Sequence, residues 1–247
     1  MKIASAQIES IVGDIKGNFK KHLEMIALAA HETVRLIVFP EMSITGYCKE
    51  RGHELAIQST SPEIIKLKKL SKAHHLVIII GAPILINEEL FIGSFILLPT
   101  GDVEIYTKQF LHTGEDQFYA SSFNYNPTIR IEGEIISFAI CADIDHEEHP
   151  KKAKQRLCSL YIPSIFFTQN GIDKGHELLA NYSSTYSMNI LMSNYSGKVS
   201  GLVSGGRSAF WDNNGQLIGA LSSDQPNLLI IERHKNGWVK KEYHHKN

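Results

Sequence analysis

The chain has 247 residues, 43% hydrophobic and 21% charged, with 25 Lys and Arg set against 26 Asp and Glu for a formal net charge of −1. That composition suits a soluble globular protein with a substantial core, and the balanced charge leaves no electrostatic footprint for nucleic acid or a membrane surface. A small molecule is therefore the expected partner.

The opening MKIASAQIES reads as a strand over residues 3–8 rather than a signal peptide. A helix is predicted over 18–30, where Phe19, Leu23, Ile26, Ala27 and Ala30 recur on one face. The next strand, 34–39, runs straight into Pro40 and Glu41. Ser61 and Pro62 supply a cap and a first-turn proline for a second helix with an apolar stripe of Ile64, Leu67 and Leu70. Residues 76–80, LVIII, are continuously apolar, so that strand is buried on both faces and needs layers above and below it. Strands over 95–98 and 103–107 flank a turn at Gly101-Asp102, the second delivering Lys108. After a turn at Glu132-Gly133, a strand over 135–140 delivers Cys141. A helix over 151–160, a strand over 161–167 and a helix over 176–188 follow. Strands over 190–193, 208–211 and 228–232 come last, with turns at Asn214-Gly215 and Asn236-Gly237. No apolar run approaches the roughly 20 residues that span a bilayer, and no linker or repeat divides the chain. One mixed α/β domain over 1–247 is the economical reading.

Ligands in open α/β sheets bind beyond the carboxyl ends of the strands, which draws attention to three strand ends. Glu41, desolvated on one side, would have a raised pKa and serve as a base; otherwise it is a solvated loop glutamate. Lys108 is either a surface charge or a cation for a site. Cys141 is a small buried hydrophobe or a nucleophile whose thiol, with an ordinary pKa of roughly 8.5, needs a base or a nearby cation. Together the three meet the requirements for attack on a carboxamide or nitrile: a nucleophile, a proton acceptor and an oxyanion stabiliser, with the backbone N–H of Ala142 able to join Lys108 in the last role.

Other features have plainer readings. His146 and His149, with Asp143 and Asp145, could hold a metal, but no third ligand has suitable spacing, and a polar loop capping a helix accounts for them. His74, His75, His244 and His245 read as surface residues. Cys48 and Cys158 read as packing thiols, Cys158 on an inner helical stripe with Ala153 and Leu157. Tyr182, Tyr186 and Met188 read as core or dimer contacts. Three scattered cysteines form no disulfide framework, which points to a reducing, cytoplasmic setting.

The stretches FPEMSITGY, YTKQFLHTGE and FAICADI, in this order, resemble the three signatures of the nitrilase superfamily of carbon–nitrogen hydrolases. KIASAQI resembles that family's opening strand, and SNYSG followed by GGRSAFWDNNGQLI resembles its C-terminal segment. The resemblance implies a four-layer α-β-β-α sandwich, pairing into homodimers or larger assemblies. It also implies a triad of Glu41 as general base, Lys108 as oxyanion stabiliser and Cys141 as nucleophile, with no cofactor and no metal. A second glutamate that helps position substrate corresponds to Glu115, with Asp116 as the alternative. Where many members read Tyr-Asp-Ile-Arg-Phe-Pro-Glu after the cysteine, this chain has Ala142-Asp143-Ile144-Asp145-His146-Glu147-Glu148. Asp145 thus replaces an arginine that binds a carboxylate in some carbamoyl-hydrolysing relatives. Residues 176–188 lack the Arg and Glu of many relatives, and Phe167-Thr168-Gln169-Asn170 stands where many have Pro-Ser. The expectation is hydrolysis of a small carboxamide through a thioester. Nitrile or N-carbamoyl hydrolysis and acyl transfer to an amine are alternatives on the same triad; a metal-dependent hydrolase and a non-catalytic binding protein are further ones.

Overall fold

The computed structural model describes residues 1–223 and 225–241; His244 and His245 lie outside them. In chain order the strands are β1 (Lys2–Gln7), β2 (Leu36–Val38), β3 (Val77–Ile86), β4 (Glu89–Leu97), β5 (Val103–Thr107), β6 (Ile129–Ile131), β7 (Glu134–Ile140), β8 (Leu160–Ser164) and β9 (Asn189–Met192). A short hairpin of β10 (Lys198–Val199) and β11 (Leu202–Val203) precedes β12 (Ala209–Trp211), β13 (Leu217–Ala220), β14 (Asn227–His234) and β15 (Gly237–Lys240). The helices are α1 (Ile15–His31), α2 (Pro62–His74), α3 (Glu148–Gln155) and α4 (Ile172–Thr185). One sheet has the order β15-β14-β1-β2-β3-β4-β5 and the other β13-β12-β9-β8-β7-β6.

Side-chain alternation along the strands builds the layers. Ile3, Leu36, Val38, Val77 and Ile79 point inward and meet Ile136, Phe138, Ile140, Leu160 and Ile162 of the opposite sheet. Their neighbours Ala4, Ile37, Ile78 and Ile80 point outward onto Ile26 and Ala29 of α1 and Ile64 and Leu67 of α2. On the far side Ala139, Tyr161 and Ile190 pack against Ala153 of α3 and Leu179 and Tyr182 of α4. This is the four-layer α-β-β-α sandwich, and it explains why LVIII is apolar at every position: both faces of that strand are covered.

Several element boundaries differ from the sequence reading. The strand at 95–98 is the end of a long hairpin of β3 and β4, turned by Asn87 and Glu88 with φ of 49° and 71°. Asn at a left-handed position suits such a two-residue turn, although no glycine announces it. Helix α3 begins at Glu148, with Pro150 in its first turn, and ends at Gln155. Leu157 therefore lies past the helix, 69% exposed at φ 64°, not on an inner stripe, while Cys158 is buried in the bend that enters β8. Cys48 is half-buried with its thiol toward Glu50, not packed in the core. Ala27 faces solvent, and the most buried stripe of α1 is Asn18, His22, Ile26 and Ala29. Its two polar members are satisfied by tertiary hydrogen bonds, which periodicity of apolar residues cannot register.

Strands β1, β2 and β3 run parallel, and the β3-β4-β5 meander returns β5 to the same direction. Strands β7, β8 and β9 are parallel in the second sheet. The sheets are stitched together where Ser5 Oγ donates to the Met192 carbonyl at 2.8 Å and Ser193 Oγ donates to that of Ala6 at 2.7 Å. The ends of β2, β5 and β7 consequently share one rim. Among the described residues, no helix is long and apolar enough to cross a membrane.

Candidate active site

Pro40 has no N–H to continue the ladder, so the chain leaves β2 and turns through residues 41–45, carrying Glu41. Three contacts fix that turn. Tyr195 donates its hydroxyl to the Glu41 carbonyl. The buried His22 ring bridges the Asn18 carbonyl at 2.8 Å and Ser43 Oγ at 2.9 Å. The turn also lies directly against Gly81 of β3, where a Cβ would sit 2.3 Å from the Met42 nitrogen and 2.7 Å from the Pro40 oxygen. Only glycine permits that approach.

Lys108 leaves β5 fully buried, with Nζ 2.8 Å from Glu41 Oε1 and 2.9 Å from Glu115 Oε1. Isolated, such an ammonium would lose several kcal/mol of hydration, so two carboxylate partners are what make its burial tolerable. Glu115 is itself tied down: Tyr47 donates its hydroxyl to Oε1 at 2.8 Å, and the His112 N–H donates to Oε2 at 2.7 Å. Asp116 next to it is exposed, so Glu115 is the acid that meets the lysine.

Cys141 follows β7 at φ 41°, a left-handed conformation that an ordinary side chain adopts at a cost of order 1–3 kcal/mol. It opens a 3-10 turn, Cys141–Asp145, in which Ala142 is buried directly behind it. Asp143 holds this strained junction. Its Oδ2 accepts from the Ile140 N–H at 2.8 Å and the Tyr106 hydroxyl at 2.6 Å, and its Oδ1 accepts from the N–H groups of Gln109 and Phe110, both at 2.9 Å. One carboxylate therefore clips the residues after Lys108 to the residue before Cys141. Behind it His149 completes a buried chain, Nε2 to the Tyr106 oxygen at 2.8 Å and Nδ1 to the Tyr161 oxygen at 2.7 Å. Both ring nitrogens are thus occupied. His146 instead stacks on Phe110 with ring centroids 3.9 Å apart, and among the described residues no group of three or more His, Cys, Asp or Glu is arranged to hold a metal.

The electrostatics follow from crowding charge in a dry place. Burial raises the Glu41 carboxyl to about 7, against the pull of the Lys108 ammonium, and the Glu115 charge pushes the same way as burial. Burial and then the Glu41 charge push the Cys141 thiol up, opposed by Lys108 and by the Phe166 N–H. Burial works against the Lys108 charge, yet Glu41, Cys141 and Glu115 outweigh it and hold the ammonium above its ordinary value. The thiol is thus protonated at rest, beside a carboxylate poised near neutrality whose second oxygen, Glu41 Oε2, is buried without a hydrogen-bond partner.

Glu41, Glu115 and Cys141 open onto a cavity of about 280 Å³ walled by Tyr47, Phe166 and Phe167, with Asp145, Thr168 and Leu202 toward its mouth. That is at or below the small end of ligand pockets, fitting a molecule of a few heavy atoms. Tyr47, Gly81, Asp143, Phe166 and Tyr195 were not singled out from the sequence as parts of this site. Tyr47 ends the stretch FPEMSITGY, Asp143 lies two residues past the cysteine and Tyr195 lies within SNYSG, so all three had a signal; Gly81 had none without the fold.

The profile of the Carbon-nitrogen hydrolase family matches residues 2–240. Among solved structures, the fold is similar to an amidase from Nesterenkonia sp. AN1, with TM-score 0.84 and 20% identity over 96% of this chain and 94% of that one. A cysteine-to-alanine variant of that amidase in complex with butyramide matches with TM-score 0.83 at 20% identity, covering 93% of this chain and 89% of that one. A glutamate-to-glutamine variant shows acrylamide added at its active-site cysteine, with TM-score 0.83 at 20% identity, covering 94% and 92%. Likeness at that identity speaks for the fold. Sequence relatives include an arylacetonitrilase from Aspergillus oryzae, 27% identical over 42% of this chain. A glutamine-dependent NAD(+) synthetase from Aquifex aeolicus is 30% identical over 58% of it. The matched segments span only 34% and 26% of those two proteins.

Proposed function

The chain belongs to the carbon–nitrogen hydrolase family, and from that premise we propose that it hydrolyses a small aliphatic carboxamide to the acid and ammonia through a thioester on Cys141. The observation that carries this reading is the buried Lys108 ammonium held between Glu41 and Glu115, two carboxylates that line a small cavity together with Cys141. In the scheme, Sγ of Cys141 attacks the amide carbon while its proton passes to Glu41, whose unpartnered Oε2 is free to take it. The oxygen that gains charge is stabilised by Lys108 and the backbone N–H of Ala142, an arrangement in which each donor is worth about 100- to 1000-fold in rate. Glu41 then returns the proton to the departing nitrogen, leaving ammonia and a thioester. Water, deprotonated by Glu41, attacks the thioester and releases the carboxylate and the thiol. Glu115 fixes Lys108 and, through Tyr47, shapes the wall beside the substrate. No step needs a cofactor.

The amidase of similar fold that binds butyramide supports an amide of that size. The likeness to an arylacetonitrilase favours, as a second reading, nitrile hydrolysis on the same triad. A single domain over 1–247, working as a homodimer or larger assembly in the cytoplasm, is part of the same proposal, and light scattering on the purified protein tests the assembly.

Ammonia release and intact mass after incubation with short aliphatic amides and nitriles test the chemistry. An acyl adduct on the wild type and none on Cys141→Ala is expected. Ammonia release that survives Cys141→Ala would sink the mechanism.

A further inference from the structure

The catalytic cavity carries one charge that the proposed triad does not use. Its lining includes three carboxylates, Glu41, Glu115 and Asp145, and no lysine or arginine. Glu41 and Glu115 share the Lys108 ammonium beneath them. Asp145 stands apart on the wall, exposed, and among the described residues it is in no ion pair, whereas Lys152 pairs with Glu148 and Arg207 with Asp173. Lys49 lines the adjoining groove with Cys48, not this cavity.

Asp145 ends the 3-10 turn that Cys141 begins. At about 2 Å of rise per residue their Cα atoms lie on the order of 8 Å apart, a span bridged by roughly three or four methylenes between a carbonyl at the thiol and a group at the carboxylate. The same cavity is lined by the rings of Tyr47 and Phe166, with centroids 5.5 Å apart, a surface for a methylene chain and a favourable one for a cation.

We propose that Asp145 is a specificity residue that receives the ammonium end of an ω-aminoalkyl carboxamide, a reading that rests on the amidase function proposed above. Three carboxylates against one ammonium bias the cavity toward a cationic amide and against an anionic one, and Asp145 is the member placed to contact the far end of the substrate.

The test compares kcat/KM for 4-aminobutanamide, its neutral isostere pentanamide and anionic succinamate, in the wild type and in Asp145→Asn. Because Asp145 is exposed, its isosteric replacement does not disturb the core. The wild type is expected to prefer the cationic amide over the neutral one by about tenfold, the discrimination of one partly solvated charged contact, with succinamate the slowest. Asp145→Asn is expected to bring the ratio of cationic to neutral amide close to one, and added salt to shrink the wild-type ratio. Equal kcat/KM for the two in the wild type, or a preference that persists in Asp145→Asn, overturns the proposal. Failure of all three amides to release ammonia or acylate Cys141 refutes the amidase reading, and this one with it.

Discussion

In the proposed mechanism Glu41 and Cys141 divide the chemistry between them because of where burial leaves their protons. The thiol is pushed up and stays protonated, whereas Glu41 is held at about 7. A proposed base must be ionised to accept a proton, so below that pH the fraction of competent enzyme falls about tenfold per pH unit. The coupled cluster is therefore expected to give kcat/KM an acidic limb with an apparent pKa near 7, flat through the mildly alkaline range. A limb centred near 4.5, the ordinary glutamate value, would show that Glu41 is not the group being titrated. Glu41→Gln, which keeps the shape and removes the base, should lower kcat by roughly 100- to 10,000-fold. Glu115→Gln should instead act through Lys108, which keeps Glu41 but loses its second carboxylate. Its cost is expected in stability as well, on the order of 3 kcal/mol by denaturant titration, the lower end for breaking a buried ion pair. Glu41 and Cys141 were legible in the sequence because each abruptly follows an apolar run, whereas Lys108 ends the mixed strand VEIYT and stood out through the resemblance of YTKQFLHTGE. The preference for Glu115 over Asp116 was not legible in spacing alone; it depends on which of two adjacent acids the loop turns inward.

At the scale of elements, the site depends on backbone approaches that leave little trace in a sequence. Gly81 sits inside β3, where a glycine ordinarily weakens a strand, and it is there because the turn bearing Glu41 lies on it. Gly81→Ala must push that turn away, and a displacement near 1 Å at a reacting group can cost about 100-fold in rate. The expected outcome is a fall in kcat/KM of at least about tenfold, read beside the midpoint of thermal unfolding; an unchanged kcat/KM would mean that the turn accommodates the methyl group. Asp143 presents a second case. Its carboxylate accepts four hydrogen bonds, and Asn in its place would turn an NH₂ group toward donors. With charge-assisted bonds worth about 1.5–3 kcal/mol each, Asp143→Asn should destabilise by at least about 3 kcal/mol, and Tyr106→Phe, which removes one bond, by about 1–3. A loss below about 1 kcal/mol for Asp143→Asn in urea titration would contradict the role of the clip. The sequence suggested an acidic loop capping a helix at this point. It could not show that Asp143 faces inward to a buried Tyr106-His149-Tyr161 chain, because Tyr106 and Tyr161 come from different sheets.

For the whole molecule, the layers were legible where strands are apolar on both faces and where helices carry a periodic stripe. They were less so where tertiary contacts override those patterns: the polar stripe of α1, the Asn87-Glu88 turn and the early start of α3. The same layering predicts where the fold is vulnerable. Phe138 points between the sheets, 2% exposed, beside Tyr106 with ring centroids 6.3 Å apart. It also lies on β7, three residues before Cys141, so the central layer and the rim share one strand. Phe138→Ala empties part of that layer, where packed sheets cannot close the gap, and should cost about 3–5 kcal/mol. At about 2–4 °C per kcal/mol for a chain of this size, the unfolding midpoint should fall by on the order of 10 °C. Leu157, equally apolar but exposed beyond α3, removes little area from water, so Leu157→Ala should stay within about 0.5 kcal/mol. If the two substitutions proved equally harmful by calorimetry, burial between the sheets would not be the main source of stability, and the inter-sheet layer could not be what holds the three strand ends in register at the rim.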